Sequence, residues 1–126
     1  MKLKKKDGND IIKLKDIQIV KSIGAKSRNY DIIDFTTGEH FKFAEDTKIQ
    51  NVEVFAGYKV KKQLREEVAR GMVEKYGGSQ EKWQHAKGVG VIDYYGEEVK
   101  AEVHWFQEET VGKVSFKIKE WLFDED

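Results

Sequence analysis

Val99-Lys100-Ala101-Glu102-Val103-His104-Trp105-Phe106, followed after a short gap by Lys113-Val114-Ser115-Phe116-Lys117-Ile118-Lys119, alternates apolar and polar side chains almost without interruption. Period two is the mark of strands with one buried and one wetted face. The connection from Gln107 to Gly112 is short enough for a hairpin. With Trp105 opposite Val114, Val103 meets Phe116 and Ala101 meets Ile118. The same register sets His104 against Ser115 and Glu102 against Lys117, and leaves Lys100 facing Lys119. The outer face of this ribbon then carries His104, Glu102, Lys117 and Phe106.

Working outward, residues 87–95 pair with 98–106 around Gly96. Residues 30–35 and 40–43 flank Thr36-Thr37-Gly38-Glu39, where glycine supplies the positive φ that tight turns use. Residues 48–55 form another strand, ended by Gly57, and a β-branched strand begins at Ile17. Leu64, Val68, Met72, Val73 and Tyr76 recur at helical spacing, which predicts a helix over 61–76. Lys62 with Glu66 and Arg70 with Glu74 are its i,i+4 pairs, and Gly77-Gly78 is its left-handed stop. Ser79 is placed to cap a second, short helical turn reaching Trp83 and His85. The expected fold is α+β: an antiparallel sheet with one main helix and a short second helix. It forms a single domain over 11–126, preceded by a disordered basic tail over 1–10.

The 126 residues suffice for one core, and an apolar fraction of 39% supplies it. Lysine plus arginine equals aspartate plus glutamate at 23 each, which argues against coating nucleic acid through bulk charge. The chain has no cysteine, so disulfides and thiolate metal sites are excluded, and no proline, so there is no proline-rich linker. No apolar run reaches the roughly 18 residues of a membrane helix, and the lysine-rich start lacks the apolar stretch of a signal peptide. A soluble, cytoplasmic protein without membrane contact is expected.

Candidate chemistry is sparse. His40, His85 and His104 have no ligand-type neighbours at zinc-site spacing, so no metal or other cofactor is indicated. Lys87-Gly88-Val89-Gly90 precedes no helix and is not a phosphate loop; its glycines relax a strand start or let another backbone approach. Ser115 lies in no nucleophile elbow. The ribbon face remains. Metal-independent RNA cleavage needs a base, an acid and a cation, and histidine and lysine suit these roles. His104, Glu102 and Lys117 share a predicted face, with His85 and Lys87 on the segment leading into the same sheet. An ordinary solvated sheet face has the same composition. Phe106 shares the His104 face, and Trp83 and Tyr95 add amphipathic aromatic density nearby, so these three are candidate binding residues.

Asn51-Val52-Glu53-Val54-Phe55-Ala56-Gly57, Lys75-Tyr76-Gly77-Gly78, Trp83-Gln84-His85-Ala86-Lys87-Gly88 and the terminal ribbon together resemble a domain of prophage and mobile-element proteins of Gram-positive bacteria. That domain is found alone or at the end of minor-capsid and head-morphogenesis proteins, and the likeness spans about residues 15–122. The resemblance implies a phage-related interaction or structural accessory module. Its partner would be a phage structural protein or a second copy of the chain. Terminal domains of such proteins are sometimes toxin-like, and a helix followed by an antiparallel sheet is similar to barnase-like and EndoU-like ribonucleases. The alternative is therefore a metal-independent, toxin-type ribonuclease acting on RNA. In it His104 is general acid or base, Glu102 its partner and Lys117 the charge stabiliser, with His85 and Lys87 as second candidates. The enzyme needs His104 and Glu102 in a concave site; the module does not.

Overall fold

The computed structural model describes residues 31–123 and the backbone of 10–11. The strand expected from Ile17 and the basic tail, apart from Asp10, lie outside the described residues. The elements are β1 (Asp10–Ile11), β2 (Asp31–Asp34), β3 (His40–Phe43), β4 (Lys48–Gly57), α1 (Glu66–Tyr76), a 3-10 turn (Gln80–Lys82), β5 (Gln84–Tyr94), β6 (Glu97–Glu108) and β7 (Gly112–Leu122).

The expected α+β sheet gives way to a mostly β protein built on a closed five-stranded barrel. β5 pairs with β6, β6 with β7, β7 with β2, β2 with β3, and β3 returns to β5. β4 lies along the first half of β5, on the edge where β3 takes Ile92 and Asp93, and β1 lines β4. The pairing of β2 with β7 is parallel, through Ile33 with Lys117 and Asp34 with Ile118, so the sheet is not purely antiparallel. The expectation fails because a sheet's apolar face can be covered by a helix or by closing on itself, and periodicity does not distinguish the two. Here closure wins. Trp105, Phe43, Phe116, Phe41, Ile32 and Ile118 fill the interior, whereas α1 buries only Ala69.

Small residues on β5 make that interior possible. A Cβ on Gly88 would lie 2.7 Å from Ile49 Cγ2 and 3.3 Å from the Trp105 ring, and one on Gly90 would lie 2.9 Å from the Phe43 ring. The two glycines are space for core rings, as a closely approached strand requires. The buried Trp105 indole N–H donates to Gln107 Oε1 at 2.7 Å, and Gln107 Nε2 donates in turn to Gln84 Oε1 at 2.8 Å. This short chain of amides lets the largest core side chain sit inside without an orphaned donor.

α1 is shorter than expected. It starts at Glu66, with Glu66 and Glu67 in the positive first turn, and stops at Gly77, whose φ is 90°. Lys62 therefore lies outside the helix. The observed i,i+4 contact is Arg70 with Glu66 at 3.3 Å, the orientation that suits the helix dipole. The second helix is only the 3-10 turn Gln80–Lys82, and Ser79 makes no side-chain cap. Its backbone N–H instead donates to Glu108 Oε2 at 3.0 Å. Glu108 Oε1 accepts from Thr110 N, Thr110 Oγ1 and Val111 N, so one buried carboxylate ties the β6–β7 turn to the end of the helical segment.

The terminal ribbon keeps its expected faces around Trp105 and His104 but not its register. Val103 meets Ile118, His104 meets Lys117 and Glu102 meets Glu120. Two register shifts separate this from the simple alternation. At one of them Ser115 adopts φ 61°, and the extra residue moves Val114 opposite Phe106 while burying Lys113.

Candidate functional site

The expected catalytic side chains do converge. Lys87, His104 and Lys117 are cross-strand neighbours on β5, β6 and β7. His104 Nε2 donates to Glu102 Oε2 at 2.9 Å, two residues along the same face. His85 lies one step away, its ring 5.8 Å from that of His104. It is stacked on Phe106 at 4.0 Å and approached by Phe55 at 4.4 Å. Phe55 was not singled out from the sequence. It occupies a register shift between β4 and β5, and that irregularity turns its ring toward His85. Lys87 lies 3.9 Å from Glu53.

Aromatic rings occupy this face beside the imidazoles. The rings cover one another, and the His104 side chain retains 17% of its exposure. Burial, and then the nearby His104, Lys117, Lys119 and Lys62 charges, push His85 down to about 4, so it is neutral at pH 7. Among the described residues no three His, Cys, Asp or Glu side chains are placed to hold a metal ion. His40 pairs with Asp31 on an exposed surface, where such a contact adds little.

Two clefts lie elsewhere. One, of about 490 Å³, runs between the Gly57–Val60 turn and α1, with Ala69 and Trp83 at its floor. Trp83, expected at a binding edge, is 1% exposed and donates its indole N–H to Gly77 O, so it is core. It is buried because Gly57, at φ 105°, lets its chain pass against the Trp83 backbone, where a Cβ would lie 2.3 Å from the carbonyl oxygen.

The other cleft, of about 380 Å³, sits at the end of the barrel where Tyr95 stands. Tyr95-Gly96 is a two-residue hairpin loop between β5 and β6, both residues with positive φ, which projects the tyrosine outward. Tyr95 and Phe123 remain 68% and 50% exposed. Tyr94 bridges the group, with ring centres 4.7 Å from Tyr95, 4.9 Å from Trp121 and 5.4 Å from Phe123. Trp121 is anchored by its indole N–H, which donates to the buried Asp34 at 2.8 Å. Asp34 also accepts from Thr36 N and Thr37 N, and these bonds outweigh burial and hold its carboxyl below the usual range. The Tyr95 hydroxyl donates to Glu39, which pushes that phenol up to about 12. Of this end, only Tyr95 was anticipated as a binding residue. Trp121, Phe123 and Glu39 come from distant segments that barrel closure brings together.

No helix among the described residues is long and apolar enough to cross a membrane. No family model, curated protein or solved structure matches the chain.

Proposed function

We propose that this protein is a soluble, cytoplasmic interaction module, and that its working surface is the aromatic end formed by Tyr94, Tyr95, Trp121 and Phe123. The observation that carries this reading is a run of four touching rings, two of them exposed (Tyr95 and Phe123), beside a cleft that Tyr94, Tyr95 and Trp121 line. Scattered surface apolar residues are ordinary, but a contiguous patch marks an interaction site. Tyrosine and tryptophan supply large contact area with a polar handle at low entropic cost. The resemblance to prophage-borne domains supports a phage structural protein as the partner. The test is affinity purification from cells that naturally make the protein. Wild type is expected to retain a partner that a Tyr95→Ser/Phe123→Ser variant loses at unchanged melting temperature. Equal retention by both would overturn the assignment of this surface.

A second reading is favoured by one observation: Glu102, His104, Lys117, His85 and Lys87 share a face, with the two imidazoles 5.8 Å apart. Glu102 holds His104 Nε2 and leaves Nδ1 to exchange a proton with an RNA 2′-hydroxyl, while Lys117 offsets charge on the phosphorane. The stacked rings and the part-buried His104 support this less than the module. Cleavage of labelled RNA that survives a chelator and disappears in His104→Ala would favour it; no cleavage by either protein would remove it.

A further inference from the structure

We propose that the cleft at the Tyr95 end seats an arginine side chain presented by the partner protein. This inference rests on the reading of that end as the interaction surface and names what it recognises. Besides Thr36, Thr37 and Ile118, three kinds of group line the cleft. Tyr94, Tyr95 and Trp121 are aromatic walls. Asp34, Glu39 and Glu120 are carboxylates, set against a single ammonium, Lys119. The Lys119 ammonium is already engaged, 3.5 Å from the centre of the Phe35 ring.

The carboxylates have different duties. Asp34 is spent on Trp121 and on the Thr36 and Thr37 amides, and so fixes the indole plane rather than meeting a ligand. Glu39 uses Oε2 for the Tyr95 hydroxyl, which holds the carboxylate on the rim; its Oε1 has no hydrogen bond among the described residues. The Glu120 carboxylate has no hydrogen bond or ion pair among the described residues, its backbone alone taking part in the β6–β7 ladder. Two acidic groups are thus available beside aromatic rings. An anion is repelled here, which excludes a nucleic-acid backbone or a phosphopeptide. An aliphatic side chain leaves the carboxylates unanswered. A cation satisfies both kinds of wall, because ring quadrupoles attract positive charge. Guanidinium fits better than ammonium: it is planar, stacks flat on rings, sheds water more readily and pairs with a carboxylate through two parallel N–H groups.

The test uses the full-length protein and three capped tripeptides, Gly-Arg-Gly, Gly-Lys-Gly and Gly-citrulline-Gly, titrated by NMR. The arginine peptide is expected to shift the Trp121 indole and the Tyr94 and Tyr95 rings saturably. The citrulline peptide, which keeps the shape and loses the charge, is expected to bind at least about tenfold more weakly. Glu39→Gln/Glu120→Gln is expected to weaken the arginine peptide by about tenfold or more at unchanged melting temperature. Tighter binding of the lysine peptide, equal binding of arginine and citrulline, or no shift at these rings each overturns the arginine assignment. The interaction reading is separable. If the Tyr95→Ser/Phe123→Ser variant still loses the natural partner while the peptides fail, the surface stands and only its proposed occupant falls.

Discussion

Glu108→Gln should destabilise the fold far more than its conservative chemistry suggests, and the size of the effect should depend on pH. In the native state one carboxylate accepts four hydrogen bonds, three at Oε1 from Thr110 N, Thr110 Oγ1 and Val111 N, and one at Oε2 from Ser79 N. A glutamine keeps one oxygen. If that oxygen serves the Thr110 side, its NH₂ faces the Ser79 N–H, and a partly buried donor loses its acceptor. An unsatisfied buried donor costs about 1–3 kcal/mol, and three charge-assisted bonds become neutral ones, so the total is about 3 kcal/mol. For a chain of 126 residues that corresponds to a fall in Tm of about 10 °C. These bonds also hold the Glu108 carboxyl below its usual 4.5, against the opposing effect of burial. A carboxyl depressed in the folded state contributes its full stability above the unfolded value and loses it as pH falls through the folded value. The gap between wild type and Glu108→Gln, measured by urea denaturation, should therefore be largest near neutrality and shrink as pH falls below the carboxyl's usual 4.5. A gap below about 0.5 kcal/mol at neutral pH, or one that persists unchanged in acid, would refute the reasoning.

The same logic gives His85 the opposite chemistry with the same sign. Its imidazole should titrate near 4 in the folded protein by NMR, and proton uptake by the unfolded chain should erode stability as pH falls from 6.5 toward 4. His85→Gln should lack that erosion, and a folded midpoint near 6.5 would contradict the packing described. Gly88→Ala places a methyl 2.7 Å from Ile49 Cγ2 and 3.0 Å from Gln50 O, and should cost about 1–3 kcal/mol in urea denaturation; a neutral result would mean that the β4–β5 pairing yields easily. Ser115→Gly relieves a side chain held at φ 61° and should stabilise by about 0.5–1 kcal/mol; a destabilised variant would speak against the register shift at that position.

The strands of the carboxyl-terminal half were legible because their alternation is local. Residues 98–106 and 113–121 were expected, and β6 and β7 extend them by only a few residues. Register was not legible. Its shifts rest on residues such as Ser115 and Asn51, which adopt positive φ without being glycine and leave no sign in the pattern. Each extra residue exchanges faces, which is how Val114 comes to lie opposite Phe106. Closure was not legible either. It hangs on Ile33 and Asp34 meeting Lys117 and Ile118, more than eighty positions away, and no helical or strand period reports such a pairing.

The candidate site divides in the same way. Parity alone put His104, Glu102 and Lys117 on one face, and the β5–β6 pairing adds His85 and Lys87. Parity could not say whether that face is hollow. Phe55, thrown outward by a register shift, and Phe106 fill it with rings. Trp83 was named a binding candidate for its amphipathic ring, which suits a binding edge and internal packing alike; Gly57 admits the backbone that buries it. Tyr95 was anticipated from the Tyr94-Tyr95 pair. Its companions Glu39, Trp121 and Phe123 stand on other hairpins and join it only once the barrel closes.

The claim that the aromatic end, not the histidine face, meets the partner is tested most directly by site-specific photo-crosslinking. A benzophenone side chain is introduced at Tyr95 in one protein and at Lys87 in another, and both are irradiated in cells that naturally make the chain. The account predicts one discrete adduct from position 95, absent in a Trp121→Ala background, and none from position 87. An adduct from position 87 alone would contradict it and move the working surface to the face shared by His85 and His104.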